Sequence, residues 1–280
     1  MHWQTTRFTI DLSRTRVMGI VNVTPDSFAD GGRHFSQDAA LRCCEQWVAE
    51  GADILDIGGE STRPGATAPS ADEELARVMP VLRHALTLGV PVSVDTSQPA
   101  VMRAALEAGV DIVNDVRSLR RPGALKAVLD HPGVGVCLMH MRGEPHDMAT
   151  HAHYGDVVAE VRKALKLRLD EVCAAGVARG CVVLDPGVGF AKERHHDLAL
   201  LSRQAELAAL GRPLLVGWSR KRTLGVITGR LVHERLAASV AAALAAASRG
   251  ASVLRVHDVA ATVDALKVWR AADTGRLVED

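Results

Sequence analysis

No stretch of this 280-residue chain stays apolar for the roughly 18 residues that a membrane-spanning helix needs. Met1 to Arg16 also lack the apolar core of a signal peptide, so a soluble cytoplasmic protein is the expectation. Net charge is missing as well: 33 Lys plus Arg balance 33 Asp plus Glu. Without a global field, nucleic-acid and membrane-surface partners are not expected, and any anion site has to be local. The 5 cysteines are odd in number and form no C-x-x-C pair, which fits reduced structural thiols and excludes a disulfide framework or a zinc ribbon. Neither G-x-x-x-x-G-K-[ST] nor G-x-G-x-x-G occurs, against a P-loop NTPase or a Rossmann dinucleotide site. There is no G-x-S-x-G nucleophile elbow. His140, His146, His151, His153, His195 and His196 lack the i, i+4 helical spacing with an intervening glutamate of a zinc protease, and a solvated polar loop accounts for them.

What is present is a series of short β-branched apolar runs, each closed by a lone polar residue. Val17–Val21 ends at Asn22, Ile54–Ile57 at Gly58-Gly59-Glu60, Val92–Val94 at Asp95, and Ile112-Val113 at Asn114-Asp115. Val136–Met139 then ends at His140, Val182–Leu184 at Asp185, Leu214–Gly217 before Ser219-Arg220-Lys221, and Val253-Leu254 at Arg255 and His257. Eight such runs separated by helical segments outline a (β/α)8 TIM barrel, an α/β fold that typically takes about 250 residues. One domain, 1–280, therefore suffices, and its catalytic groups are expected at the C-terminal ends of the strands.

Helix punctuation agrees with that outline. Ser70 with Glu73 forms a capping box for a helix running toward Leu88 and stopped by Gly89. Ser97 and Pro99 open the next, closed by Gly109, and Gly176 ends a long helix begun near Tyr154. The helix from about His233 to Ser248 is rich in alanine, suiting close approach either to the barrel or to a partner subunit. Three irregular stretches follow strands: about 24–36, 58–69 and 140–153. Long loops on that face are read as lids or binding loops, with about 24–36 and 58–69 as the mobile active-site loops.

Three sets of strand-end groups carry chemistry. Asp95, Asn114 and Asp185 converge on the barrel mouth, where two carboxylates and an amide suit a flat heterocycle with adjacent N–H donors. Arg63, Arg220, Lys221, Arg255 and His257 form a cationic set on loops that hold phosphate in this fold, although each alone would serve as a surface ion pair. Asn22 and Asp26 lie in N-V-T-P-D-S-F; Asn22 could ligate Mg2+ beside a diphosphate, while Asp26 fits a turn after Pro25 equally well.

These residues stand inside longer strings: M-G-I-V-N-V-T-P-D-S-F from Met18, D-I-G-G-E-S-T-R-P-G-A from Asp56, V-S-V-D-T from Val92 and N-D-V-R-S-L from Asn114. They continue with C-L-M-H-M from Cys137, L-D-P-G-V-G-F-A-K from Leu184, W-S-R-K from Trp218 and R-V-H-D-V from Arg255. In that order, along essentially the whole chain, they closely resemble the dihydropteroate synthase family of folate biosynthesis. The resemblance implies condensation of 6-hydroxymethyl-7,8-dihydropterin diphosphate with 4-aminobenzoate. It places Asp95, Asn114, Asp185 and Lys221 on the pterin, Thr62, Arg63, Arg255 and His257 on the diphosphate, and Mg2+ on Asn22. Pro64, Phe190 and Ser219 flank the aminobenzoate, and Phe28 sits in the first mobile loop; Asp95, Lys221 and Arg63 carry the catalysis. It also implies a homodimer and sulfonamide inhibitors. Trp218 and Val188 depart from many relatives, and strand alternation turns Trp218 outward under a helix. Two rivals share the barrel: a pterin-binding methyltetrahydrofolate methyltransferase, which needs neither S-T-R-P-G nor the R-x-H pair, and a non-catalytic pterin-binding regulatory relative.

Overall fold

The computed structural model describes residues 1–23, 37–61 and 68–277. Its centre is a closed barrel of eight parallel strands, β3 (Arg16–Asn22), β4 (Ile54–Gly58), β5 (Val92–Asp95), β6 (Ile112–Asp115), β7 (Gly135–Met139), β8 (Val182–Asp185), β9 (Leu214–Val216) and β10 (Ala251–Val256), with β10 closing onto β3. Two further strands, β1 (His2–Gln4) and β2 (Thr9–Asp11), form an antiparallel hairpin that the run pattern did not anticipate. Among the described residues the α-helices are α1 (Gln37–Ala49), α2 (Ala71–Ala85), α3 (Pro99–Glu107), α4 (Ala124–Leu129), α5 (Val157–Ala174), α6 (Arg194–Ser202), α7 (Gln204–Ala208), α8 (Arg222–Thr228), α9 (Leu236–Ala247) and α10 (Val259–Thr274).

Strand parity divides the core in two. Met18, Ile54, Ile112, Cys137, Val183, Leu215 and Val253 pack together with Trp3, Ile10 and Leu12. The hairpin thus plugs the lower end of the barrel, and the Trp3 indole N–H, fully buried, donates to the Cys181 carbonyl at 2.7 Å. Their strand neighbours Val17, Leu55, Val113, Val136, Val182, Leu184, Leu214 and Leu254 belong to the larger cluster between strands and helices. Trp218 joins that outer cluster, as alternation requires. On α9, Ser239, Ala242, Ala243, Ala246 and Ala247 are buried, so one face of the alanine helix is spent on the barrel.

Ser70 and Glu73 do form a reciprocal capping box on α2. The starts of α3 and α5 differ from the sequence reading. Gln98, not Ser97, precedes α3, because the Ser97 hydroxyl donates instead to buried Asp115. The long helix α5 begins at Val157 rather than near Tyr154, since the Asp156 carboxylate accepts from the Val158 and Ala159 amides and fixes the start there.

Candidate active site

Two residues beyond the apolar lower layer, on the same inward face, come Asp56 after Ile54, Asn114 after Ile112, Asp185 after Val183 and Arg255 after Val253. Parity alone carries these polar side chains to the mouth of the barrel. The parallel register also sets Asn22 beside Gly58, Gly58 beside Asp95 and Asp95 beside Asn114. Glycine at 58 keeps that row tight, since a Cβ there would lie 3.2 Å from the Asp95 Cβ. Asn22, Asp95, Asn114, Asp185, Phe190, Ser219, Arg220, Lys221, Arg255 and His257 all line one cavity of about 1080 Å³. Thr62, Arg63, Pro64, Asp26 and Phe28 lie outside the described residues, with most of the 24–36 and 58–69 loops.

The floor of the cavity is an ion cluster. Arg255 Nε donates to Asp56 and a terminal Arg255 nitrogen to Asp95, both at 2.6 Å, while the Asn114 amide donates to Asp56 at 3.2 Å. Burial raises the Asp95 carboxyl pKa against the pull of Arg255, and the neighbouring Asp56, Glu60 and Glu74 add to the rise. Asp185 is likewise raised by burial, opposed by the Gly187 amide, which donates to it at 2.7 Å, and by Lys221. Burial lowers Lys221. Three carboxylates, Asp56, Asp95 and Asp185, thus face two cations, Lys221 and Arg255. Such a floor favours a ligand edge that donates hydrogen bonds or develops positive charge.

Toward the rim, His257 Nδ1 lies 3.0 Å from the Ser219 hydroxyl, and the Lys221 ammonium sits 4.5 Å from the centre of the Phe190 ring. The Arg255 guanidinium points inward and is engaged by Asp56 and Asp95. Arg220 is committed to Asp258 at 2.6 Å. Nor are the histidines uniformly solvated: His140 and His196 are buried, whereas His146, His151, His153 and His195 are exposed.

Several polar residues at or behind the cavity were not singled out from sequence. Asp56 sits inside an apolar run rather than at its end, and its even spacing from Ile54 was the available signal. Asp197 accepts from the Gly189 amide and the Thr223 hydroxyl, at 2.7 and 2.6 Å, and so supports the loop after β8. Arg117 bridges Glu144 at 2.6 Å and Glu60 at 3.3 Å, linking the loops after β4, β6 and β7.

Glu74, in the first turn of α2, is wholly buried with no close hydrogen bond to either carboxyl oxygen among the described residues. Burial pushes its pKa from 4.5 up to about 7, and the Thr96 hydroxyl offsets only part of that cost. The folded pKa exceeds the unfolded one, so there is no penalty below pH 4.5, and stability falls as pH rises from there through about 7. At about 1.36 kcal/mol per unit, the loss reaches about 3 kcal/mol. Glu74→Gln is therefore expected to melt higher than the parent at about pH 8 and to lose that advantage near pH 4.5. An equal effect at both pH values in thermal melts would exclude ionisation as the cause.

The comparisons with known proteins agree with this geometry. A family model described as "Pterin binding enzyme" matches residues 18–257. The dihydropteroate synthase of Neisseria meningitidis serogroup B is 52% identical over 276 residues, covering 96% of both chains. The Xanthomonas albilineans dihydropteroate synthase solved with 4-aminobenzoic acid superposes with a TM-score of 0.89 at 53% identity, covering 95% of each chain. The Yersinia pestis dihydropteroate synthase, solved with a sulfonamide drug, gives a TM-score of 0.93 at 44% identity over 98% of this chain and 100% of that one. With the barrel, the acidic floor and this identity along nearly its whole length, the chain belongs to the dihydropteroate synthase family of pterin-binding enzymes.

Proposed function

We propose that the chain condenses 6-hydroxymethyl-7,8-dihydropterin diphosphate with 4-aminobenzoate to give 7,8-dihydropteroate and diphosphate. The observation that carries this reading is the set of Asp95, Asn114, Asp185, Lys221, Phe190, Ser219 and His257 around one cavity, with Asp56 buried behind it and bonded to Asn114. Asp185, Asn114 and Asp95 accept the N–H edge of the pterin, and Lys221 donates to its ring acceptors. Arg255 orders Asp56 and Asp95 beneath the ring. The bond between the pterin methylene carbon and the diphosphate oxygen breaks with its electron pair on oxygen, leaving a cation conjugated with the dihydropterin. The buried carboxylates stabilise that charge as it develops. The aniline nitrogen then attacks the methylene carbon and loses its proton. His257, held against Ser219, and Arg255 face the leaving diphosphate, together with Thr62 and Arg63 by family resemblance. Phe190 and Ser219, joined by Pro64 and Phe28 on the same resemblance, flank the aminobenzoate.

Asn22 ends β3 half-buried and lines the cavity. A single amide oxygen suits Mg2+, which keeps several waters and takes its remaining ligands from substrate phosphate. When bound, the ion would neutralise charge on the leaving diphosphate. A homodimer is also part of the reading. Val226, Ile227, Leu231, Val232 and Leu236, all roughly half exposed or more, form an apolar stretch running from α8 into α9 and suited to a second copy of the chain. Light scattering checks that state. No described helix is long and apolar enough to cross a membrane, and a cytoplasmic site of action is proposed.

The test is release of diphosphate that depends on both substrates. Methyl transfer from methyltetrahydrofolate would release none, and a non-catalytic relative would bind pterin without turnover. Sulfonamides, which mimic 4-aminobenzoate, are expected to compete with it. A pattern competitive with the pterin diphosphate and noncompetitive with aminobenzoate would move the aminobenzoate pocket away from Phe190 and Ser219.

A further inference from the structure

The loop from Gly187 to Glu193 carries Phe190 and is unusually constrained. The Gly187 amide donates to Asp185 and the Gly189 amide to Asp197, both at 2.7 Å, while the Phe190 amide donates to the Gly187 carbonyl at 3.1 Å. Gly187 has φ +68°, and any Cβ there would collide with the His140 carbonyl. Ala191 is also left-handed, at φ +49°, and its carbonyl accepts from the Tyr154 hydroxyl at 3.0 Å. Glycine adopts this region freely, whereas alanine does so at a cost and needs its surroundings to hold it there.

Those turns aim Lys192 back into the protein. Its ammonium lies 2.9 Å from the Phe190 carbonyl, 3.2 Å from the His140 carbonyl and 3.1 Å from His140 Nδ1. Three acceptors thus surround three N–H donors. The His140 ring can accept because it stays neutral: burial, with Lys192, Arg142 and Arg120 nearby, drives its pKa down to about 2.

We propose that Lys192 is a positioning residue, its ammonium pinning the Phe190 carbonyl to His140 so that the Phe190 ring stays against Lys221 as one wall of the aminobenzoate pocket. The inference rests on the reaction proposed above. Lys192 lines the cavity but acts through Phe190, so its loss falls more on aminobenzoate than on the pterin, which is read by Asp95, Asn114, Asp185 and Lys221.

A second consequence is dependence on pH. Burial pulls the Lys192 pKa from 10.5 down to about 7. The charged groups around it are Asp197 on α6 and Asp185 on β8, which favour the ammonium, and Lys221 after β9 and Arg142 after β7, which oppose it. Below about 7 the three donors are present. Above it, one acceptor faces a lone pair and the clamp loosens.

The experiment is a double-mutant cycle on the full chain with steady-state kinetics for both substrates. Lys192→Met is expected to raise the KM for 4-aminobenzoate about tenfold while leaving the KM for the pterin diphosphate within about twofold. In a Phe190→Ala background, the same change should add little, because the lysine has no wall left to hold. Lys192→Gln, which keeps a neutral donor, takes the place of methionine in the cycle if that variant does not fold, and is expected to fall between the two. Wild-type KM for 4-aminobenzoate should rise above about pH 7, and this rise should be absent in Lys192→Gln. Additive effects of Lys192 and Phe190 substitutions, or equal increases in both KM values, would overturn the proposal while leaving the reaction intact. Absence of diphosphate release by the wild type with both substrates would instead overturn the reaction.

Discussion

Replacing Arg255 with methionine is expected to destabilise the fold by about 3–5 kcal/mol at about pH 9, the range for removing one partner from a buried ion pair. The guanidinium holds Asp56 and Asp95 at 2.6 Å each, and Asp56 is wholly buried. Methionine fills much of the same volume without supplying a charge. Asp95, already raised by burial, rises further once Arg255 is gone. Its folded pKa, raised to about 8 with Arg255 present, moves higher still without it, so this part of the cost appears only as pH climbs through about 8. Urea unfolding at about pH 6.5 and about pH 9 should therefore show the larger deficit at the higher pH. Adding Asp56→Asn should recover part of it, since one uncompensated carboxylate disappears with the substitution. A deficit below about 1 kcal/mol, or one independent of pH, would mean that Arg255 does not hold this cluster together.

The barrel was legible because a buried parallel strand leaves a simple mark, a short β-branched run with its ends fixed by polar residues. All eight runs became barrel strands. The residues closing them were legible for the same reason, since an isolated acid or amide at the end of an apolar run has few inexpensive places to go. Asp56 was hidden by its position inside a run, and its significance emerges only when parity with Ile54 is combined with the presence of Arg255 across the barrel. Lys192 left no comparable mark. Its three acceptors include two carbonyls, and sequence says little about where a carbonyl points. The hairpin of β1 and β2 was missed because each strand is three residues long, too short to show a period. Which cations were free to meet an anion also depended on tertiary pairing, as the capture of Arg220 by Asp258 makes plain.

Asp185→Asn is expected to leave the fold largely intact and to weaken pterin binding strongly. Asp185 ends β8, and its Oδ1 already accepts from the Gly187 amide. Asparagine can keep that bond through its carbonyl oxygen, so the loop after β8 retains its start. The other oxygen becomes an NH2 group, which turns a donor toward the N–H edge of the pterin. One charge-assisted hydrogen bond, about 1.5–3 kcal/mol, is lost, and a donor-to-donor contact replaces it. At about 1.4 kcal/mol per factor of ten, affinity should fall by at least tenfold. Because burial raises the Asp185 pKa, neutralising the group also removes a desolvation cost, so thermal stability should hold or rise slightly. Titration calorimetry with the pterin, alongside thermal melting, separates the two effects. Unchanged affinity would place the pterin edge away from Asp185, and a collapsed melting temperature would make the carboxylate a structural anchor instead of a reader of the ligand.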